Sequence, residues 1–237
     1  MSIFSKFINA FKNLRLNDKN AVIGLQLDHL LISSMYAEQQ AAYLNSYETG
    51  LDKGTLKTIL EDYWEIFDKD DAIEVLSDLQ NRNQDEYLDI VYNAFENREN
   101  YVAILKSNLP DEEDVFKHYV EIYRKLSNVV PELVEQNVFQ DFSAIKNIRD
   151  TAWNYGRGAF LSRCCYEAGY ISEVELIEYL QKSHTGLRNY CRTWKEYTTS
   201  YIFGRAIWGG SNNDGMIQIA DDLLNSEKSP LKNKIYL

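Results

Sequence analysis

Proline, glycine and cysteine are scarce in this sequence. Its 237 residues include 3 prolines, 11 glycines and 3 cysteines. Because proline and glycine interrupt helices, their scarcity, together with many Leu, Ala, Glu, Lys and Gln residues, favours helices over strands. The cysteines are odd in number, and Cys164 and Cys165 are adjacent, so we expect reduced thiols and no disulfide framework. This pattern predicts a cytoplasmic protein.

Long apolar runs are also missing. No stretch approaches the roughly 18 consecutive apolar residues of a membrane-spanning helix, and the N-terminal segment lacks the apolar core and cleavage site of a signal peptide. We therefore expect neither a transmembrane segment nor export by a signal peptide. Residues 3–16 follow the pattern of an amphipathic helix with basic flanks. We expect this helix to pack on the protein's own core, and weak contact with an anionic membrane surface is the alternative.

Basic residues are fewer than acidic residues in this sequence. The chain has 25 Lys and Arg residues against 36 Asp and Glu residues, which gives a net charge of −11. Such a surface repels the nucleic-acid backbone, so we expect no nucleic-acid partner, and a basic protein is the partner that fits. Apolar residues make up 45% of the chain, which is enough for a sizeable core. The sequence predicts one all-α domain of about ten helices over residues 1–237, or two packed helical subdomains that divide near residues 137–142.

Helical periodicity and capping residues indicate where the helices begin and end. Proline is favoured in the first turn of a helix, so one helix should begin near Pro110 and a short one near Pro131. Another should begin after Ser172, because Glu175 stands three residues later in capping-box position. Apolar spacing predicts the other helices over residues 20–50, 54–67, 70–80, 84–106, 143–168, 193–208 and 216–225.

Arginines and large aromatic residues share helical stripes in the C-terminal half of the chain. Trp153 and Arg157 are four residues apart, and so are Arg163 and Glu167, which we expect to form an ion pair. A second helix repeats the combination of aromatic residues with arginine. The candidate site residues are Trp153, Arg157, Arg163, Glu167, Trp194, Glu196, Tyr201, Arg205 and Trp208.

This polar cluster has two interpretations. A buried arginine needs carboxylate or carbonyl partners, so the cluster can be a core in which Arg157 and Arg205 are neutralised internally. Alternatively, Arg157, Arg163 and Arg205 form a pocket with aromatic walls, since guanidinium groups suit phosphate and carboxylate ligands. For the first interpretation, the expected partners are the carboxylates of Asp150, Glu167, Glu175 and Glu196.

Motifs for catalysis and for metal binding are missing. His29, His118 and His184 have no second His or Cys at a zinc-ligand spacing, so we expect no metal site. Cys164 lies on the apolar stripe of its helix, where a core position is more common than a nucleophile. The sequence contains no dinucleotide fingerprint, phosphate loop, nucleophile elbow or HExxH motif. We therefore expect no cofactor.

These observations favour a non-catalytic interaction module of immunity or regulatory type that binds a basic protein. The alternative is an enzyme or sensor that holds a small anionic ligand through Arg157, Arg163 and Arg205. A pocket reached by at least two of these guanidinium groups would favour the alternative.

Several strings in this region resemble a bacterial protein family. WNYGR at residues 153–157 is followed by EAGYISE at 167–173, WKEY at 194–197 and YIFGRAIWGG at 201–210. With Ser229-Pro230, they are similar to the YbeU/YbeR-like family, which is domain-of-unknown-function family 1266. The resemblance extends over most of the chain. It implies a bacterial, cytoplasmic, α-helical protein, and it implies no particular activity.

Overall fold

Helices make up the regular secondary structure of the protein. A computed structural model describes residues 14–209 and 213–237, and within these ranges it contains twelve α-helices and no strands. The predicted all-α class is therefore confirmed. The helices are α1 Leu25–Leu31, α2 Ser34–Gln39, α3 Lys53–Lys57, α4 Lys69–Asn81, α5 Tyr87–Glu96, α6 Tyr101–Asn108, α7 Glu113–Glu135, α8 Phe142–Lys146, α9 Thr151–Glu167, α10 Glu173–Leu187, α11 Trp194–Trp208 and α12 Asp214–Asn225.

Helix α9 is the central helix. It packs against α2, α4, α10 and α11, and most of its residues are buried. Small residues allow this close packing. A Cβ atom at Gly156 would lie 2.9 Å from the ring of Tyr201 on α11, and one at Gly158 would lie 2.2 Å from the hydroxyl of Tyr179 on α10. Glycine is therefore required where the neighbouring side chains cross α9.

The predicted capping box of α10 is confirmed, since Ser172 and Glu175 form it at the start of that helix. Thr193 and Glu196 form a second capping box at the start of α11, where the sequence interpretation gave Glu196 a counterion role. Gly169, with a φ of +81°, follows the end of α9, in the left-handed conformation that glycine adopts most easily. These signals are local, because donor and acceptor lie within about one turn of each other.

The prediction of one long helix over residues 20–50 is wrong. The segment contains only the short helices α1 and α2, followed by an irregular stretch before α3. Ala41 takes a φ of +53°, which ends the helical path after α2. Within residues 40–52, Ala42, Leu44, Ser46 and Thr49 are nevertheless buried. The apolar pattern of this segment reflects burial against α9 and its neighbours rather than a continuous helix.

Three further helix boundaries differ from the prediction. The segment 84–106 divides into α5 and α6, and the segment 143–168 divides into α8 and α9 at Arg149, whose φ is +54°. Pro131 lies inside α7 instead of starting a helix. Its neighbours Val130 and Leu133 are buried, so packing along α7 outweighs the hydrogen bond that proline cannot donate. The predicted amphipathic helix over residues 3–16 falls mainly outside the described residues.

Within the described ranges, no helix is both long enough and apolar enough to cross a membrane.

Candidate functional site

The structure separates the predicted polar cluster into a cleft and several buried structural contacts. Trp153, Arg157 and Trp208 line one cleft, which we call the Arg157 cleft. Its volume is about 510 Å³, within the usual range for small-molecule sites. The cleft is lined by Arg82, Asp85, Leu88, His118, Asp150, Trp153, Asn154, Arg157, Trp208 and Gly209.

Arg163 does not reach this cleft. Its side chain is fully buried (0% exposed), and burial lowers its pKa to about 10. Its guanidinium donates hydrogen bonds to the Tyr43 carbonyl (2.6 Å), the Glu48 carbonyl (3.0 Å) and the Ser33 hydroxyl (3.1 Å). The two bonds to carbonyl groups attach the irregular segment 40–52 to α9. Arg163 therefore stabilises the backbone of this segment, and its N–H donors do not face a ligand site.

The predicted ion pair between Arg163 and Glu167 does not form. The carboxylate of Glu167 instead accepts hydrogen bonds from the backbone N–H of Thr49 (2.8 Å) and from its hydroxyl (2.5 Å). Both residues thus anchor the same irregular segment to α9, one as a donor and the other as an acceptor. The spacing was compatible with an ion pair, but the unpaired backbone groups of the neighbouring segment bind both side chains.

Two other predicted carboxylate partners are used at helix ends. Glu196 accepts hydrogen bonds from the backbone N–H groups of Arg192 (2.6 Å) and Thr193 (3.0 Å) at the start of α11. Glu175 caps α10 and forms an ion pair with Lys69 at 2.6 Å. Because these carboxylates satisfy backbone donors, they are helix-capping groups rather than counterions for the cluster.

The remaining candidates lie on α11. Trp194 and Tyr201 are almost fully buried. The ring of Tyr201 lies 5.1 Å from that of Trp153, in an edge-to-face arrangement. Arg205 donates a hydrogen bond from Nη1 to Asn213 Oδ1 at 3.3 Å. Tyr201 thus contacts a wall residue of the Arg157 cleft, and none of these three residues lines the cleft itself.

Arg157 is held between aromatic rings. Its guanidinium carbon lies 4.2 Å from the ring centre of Trp153 and 5.2 Å from that of Trp64. Its Nε donates to the Trp153 carbonyl (3.1 Å), and its Nη2 donates to Asn154 Oδ1 (2.9 Å). Burial lowers its pKa to about 10, so the group stays charged at neutral pH. Cation–π contacts stabilise this charge, and no carboxylate of the described chain lies within ion-pair distance of it.

Asp150 stands on the same side of the cleft, just before α9. Its residue surface is only 4% exposed, and one of its oxygens, Oδ2, accepts a hydrogen bond from the indole N–H of Trp208 at 2.5 Å. Burial raises the pKa of this carboxyl, although the Trp208 bond and the charges of Arg149 and Arg157 act in the opposite direction. No cation of the described residues forms an ion pair with it.

Other residues that line the Arg157 cleft already have protein partners. The hydroxyl of Tyr119 donates to the Asp85 carboxylate at 2.9 Å, and Arg82 forms an exposed ion pair with Asp78 at 2.6 Å. The His118 ring stacks on Trp208 at 6.0 Å with an angle of 21° between the planes. Asp85 and Arg82 therefore need no ligand to satisfy them, in contrast to Arg157.

Part of this arrangement has a signal in the sequence. Asp150, Trp153, Asn154 and Arg157 are spaced by three or four residues, so they share one face at the start of α9. The sequence interpretation used Asp150 only as an internal counterion. His118, on α7, reaches the cleft through tertiary packing that no local pattern indicates.

The part of the chain that the structure describes contains no evident metal-binding site. No three His, Cys, Asp or Glu side chains there are close enough to bind one ion together. The three cysteines are free and buried. Burial raises the pKa of Cys165 and Cys191 to about 12, and it also raises the pKa of Cys164. These thiols are core residues rather than nucleophiles.

The fold and the cleft define an all-α protein with a mixed-charge cleft beside its central helix. The sequence pattern of the family described as "Protein of unknown function (DUF1266)" matches residues 59–235, and the chain belongs to this family. This confirms the resemblance found in the sequence.

One relative is the uncharacterized protein YbeR of Escherichia coli (strain K12). It is 28% identical over 85 residues, which cover 36% of this chain and 36% of YbeR. No solved structure is significantly similar to this chain.

Proposed function

We propose that the protein is a binding module whose Arg157 cleft takes a small molecule with an acidic group, and that Arg157 receives this group. The proposal rests on the environment of the Arg157 guanidinium. It lies between Trp153 and Trp64, lines a cleft of about 510 Å³ and has no carboxylate partner among the described residues. Arg157 is half-buried and forms no ion pair with a described residue, so its charge has lost part of its hydration without gaining a directly bound carboxylate. An anionic ligand would supply the missing charge.

This proposal differs from the anion-pocket hypothesis of the sequence analysis in the arginines that it uses. Of the three arginines considered there, Arg157 lines the cleft, whereas Arg163 is bound to carbonyl groups. Arg82, which the sequence interpretation did not include, also lines the cleft, but its guanidinium is already paired with Asp78. Only one of the three predicted guanidinium groups therefore reaches the cleft, fewer than the two that the anion-pocket hypothesis calls for, and the proposal keeps that hypothesis only in the role of Arg157. The activity that we propose is binding, in keeping with a regulatory or sensor role.

Isothermal titration calorimetry tests the proposal. The purified protein would be titrated with inorganic phosphate, sugar phosphates, nucleotides and mono- and dicarboxylates. We expect one of these classes to bind, and we expect Arg157→Gln to weaken that binding by at least about tenfold, because a charge-assisted hydrogen bond is lost.

Arg124→Gln is the matched control. Arg124 is an exposed arginine on α7 that pairs with Glu121, so this variant changes the net charge equally without touching the cleft. Equal losses in both variants, or no binding by any class, would contradict the proposal.

The net charge of −11 favours a second candidate function, which is docking of a basic protein on the acidic surface. The two functions are compatible, because the Arg157 cleft occupies a small part of the surface and the charge is spread along the chain. In a regulatory protein, a ligand in the cleft could control the docking of such a partner.

A further inference from the structure

The Arg157 cleft holds two charges of opposite sign that do not pair with each other. Arg157 and Asp150 both line it, yet they form no ion pair with each other or with another described residue. Asp150 is 4% exposed, so water compensates its charge only weakly. Arg157 is half-buried, and opposite charges that share a partly desolvated site normally approach each other, because pairing recovers part of the desolvation cost. Here the fold holds them apart.

Local contacts explain this separation. The Arg157 guanidinium is fixed by its bonds to the Trp153 carbonyl and to Asn154. The Asp150 carboxyl is fixed on Oδ2 by the indole N–H of Trp208. The carboxyl also interacts with the backbone N–H of Asp150 itself, and Trp208 is the described side chain that donates a hydrogen bond to it. Each group is thus oriented by its neighbours and keeps unused hydrogen-bonding capacity.

From this arrangement we infer that the ligand of the cleft is a zwitterion, such as a free amino acid, with an ammonium group that pairs with Asp150. The inference rests on the proposed function, in which Arg157 receives the acidic group of the same ligand. A molecule with both charges would form an ion pair with each of the two groups at once. A simple anion would leave Asp150 buried without a counterion.

The remaining walls fit the body of such a molecule. Trp153 and Trp208 offer aromatic surfaces, and the stack of His118 on Trp208 keeps one of these rings in place. Burial raises the pKa of the Asp150 carboxyl, and a ligand ammonium beside it would act in the opposite direction by favouring the charged form. Binding of the zwitterion should therefore tighten as pH rises through the pKa of Asp150.

The experiment compares matched ligands on the wild-type protein by calorimetry. The probes are the common free L-amino acids, with dipeptides for a wider separation of charges. Each compound that binds is followed by its N-acetyl derivative, which lacks the ammonium, and its amide, which lacks the carboxylate. We expect at least one free compound to bind and both derivatives to bind at least about tenfold more weakly.

The derivatives separate the two proposals. If the N-acetyl derivative binds as well as the free compound, the zwitterion inference fails while the proposed function stands. If the amide binds as well as the free compound, the role of Arg157 fails, and the inference falls with it. Binding of simple anions without binding of any zwitterion would also overturn the inference.

A variant assigns the ammonium contact to Asp150. Asp150→Asn keeps the shape of the side chain and an acceptor for Trp208, so we expect the preference for the free compound over its N-acetyl derivative to disappear. Asp221→Asn, at an exposed position of α12, is the matched control and should keep the preference. An unchanged preference in Asp150→Asn would overturn the assignment. If this variant does not fold, the comparison of derivatives on the wild-type protein still decides the inference.

Discussion

Two arginines on the same helix have different roles because their partners differ. Arg163 is surrounded by carbonyl groups of an irregular segment, whereas Arg157 lies between two tryptophan rings at the edge of a cleft. Both side chains are long enough to satisfy backbone acceptors or to reach a ligand. The identity of the residue is the same in both cases, so the environment that the fold builds decides which role each arginine takes.

Arg163→Met should destabilise the protein strongly. The change removes a buried donor group and leaves the Tyr43 and Glu48 carbonyls without it, at a cost of about 3 kcal/mol. For a chain of this size the melting temperature should fall by about 6–12 °C, measured by circular dichroism. Arg157→Gln should have a smaller effect, since Arg157 is half-buried and forms no ion pair with a described residue, whereas Arg163 is fully buried. A larger loss in Arg157→Gln than in Arg163→Met would contradict this assignment.

Glu38 makes the stability depend on pH. It is 4% exposed on α2, and burial, followed by the charge of Asp222, raises its pKa from 4.5 to about 7. Between these values the folded protein binds more protons at Glu38 than the unfolded chain does. This residue's contribution to the free energy of unfolding therefore falls as pH rises from about 4.5 to 7, by up to about 3 kcal/mol.

Glu38→Gln tests this dependence. Urea unfolding should show the variant more stable than the parent at pH 8, where the parent carries a buried charge, and the advantage should be lost near pH 4.5. The same difference at both pH values would show that the effect is one of packing and not of ionisation.

At the scale of elements, the contact between α9 and α11 positions the cleft. A Cβ atom at Gly204 would lie 2.3 Å from Cβ of Trp153. A Cβ atom moves only with its backbone, so this overlap cannot be relieved by a rotamer change. Gly204→Ala should therefore destabilise the protein by about 1–3 kcal/mol and weaken ligand binding by displacing Trp153.

The control for that change is Gly215→Ala. Gly215 lies near the start of α12, and a Cβ atom there would meet nothing within 4 Å. Alanine should be neutral or stabilise α12 by up to about 1 kcal/mol, as measured by urea unfolding. If the two variants had equal stability, the packing of α11 against Trp153 would not be tight.

The helix ends that could be predicted from sequence are those with local signals. The capping boxes at Ser172 and Thr193 need only residues three positions apart, and both are present. The irregular segment 40–52 could not be predicted in this way. The carbonyl groups of Tyr43 and Glu48 in this segment accept hydrogen bonds from Arg163, more than a hundred residues later in the chain. The apolar periodicity of the segment does not indicate this distant donor.

The candidate site was predictable to a similar degree. Trp153, Arg157 and Trp208 were identified because aromatic residues and arginine on one stripe are unusual. Asp150 is one of four carboxylates that the sequence offers as partners for Arg157 and Arg205. Its charge interacts with that of Arg157 but the two form no ion pair, since spacing gives proximity without orientation. The cleft itself depends on how α5, α7, α9 and α11 meet, and this packing is a property of the tertiary structure.

At the scale of the whole molecule, the net charge of −11 leads to a prediction about partners. Affinity capture with the purified protein should enrich basic proteins at low salt. This binding should be lost near 0.5 M salt, where screening shortens to roughly 4 Å. The bound proteins can be identified by mass spectrometry. Enrichment of acidic proteins, or capture that does not change with salt, would contradict a charge-driven partner, and recovery of nucleic acid would contradict the acidic-surface argument.

The three buried cysteines have a further consequence for the molecule as a whole. Only a thiolate reacts readily with oxidants and alkylating agents, and burial keeps these thiols protonated at neutral pH. Two of them belong to the central helix α9, so they become reactive only when the core opens. Oxidants therefore do not react readily with the cysteines while the protein is folded. The rate at which they are alkylated is a measure of how often the core opens.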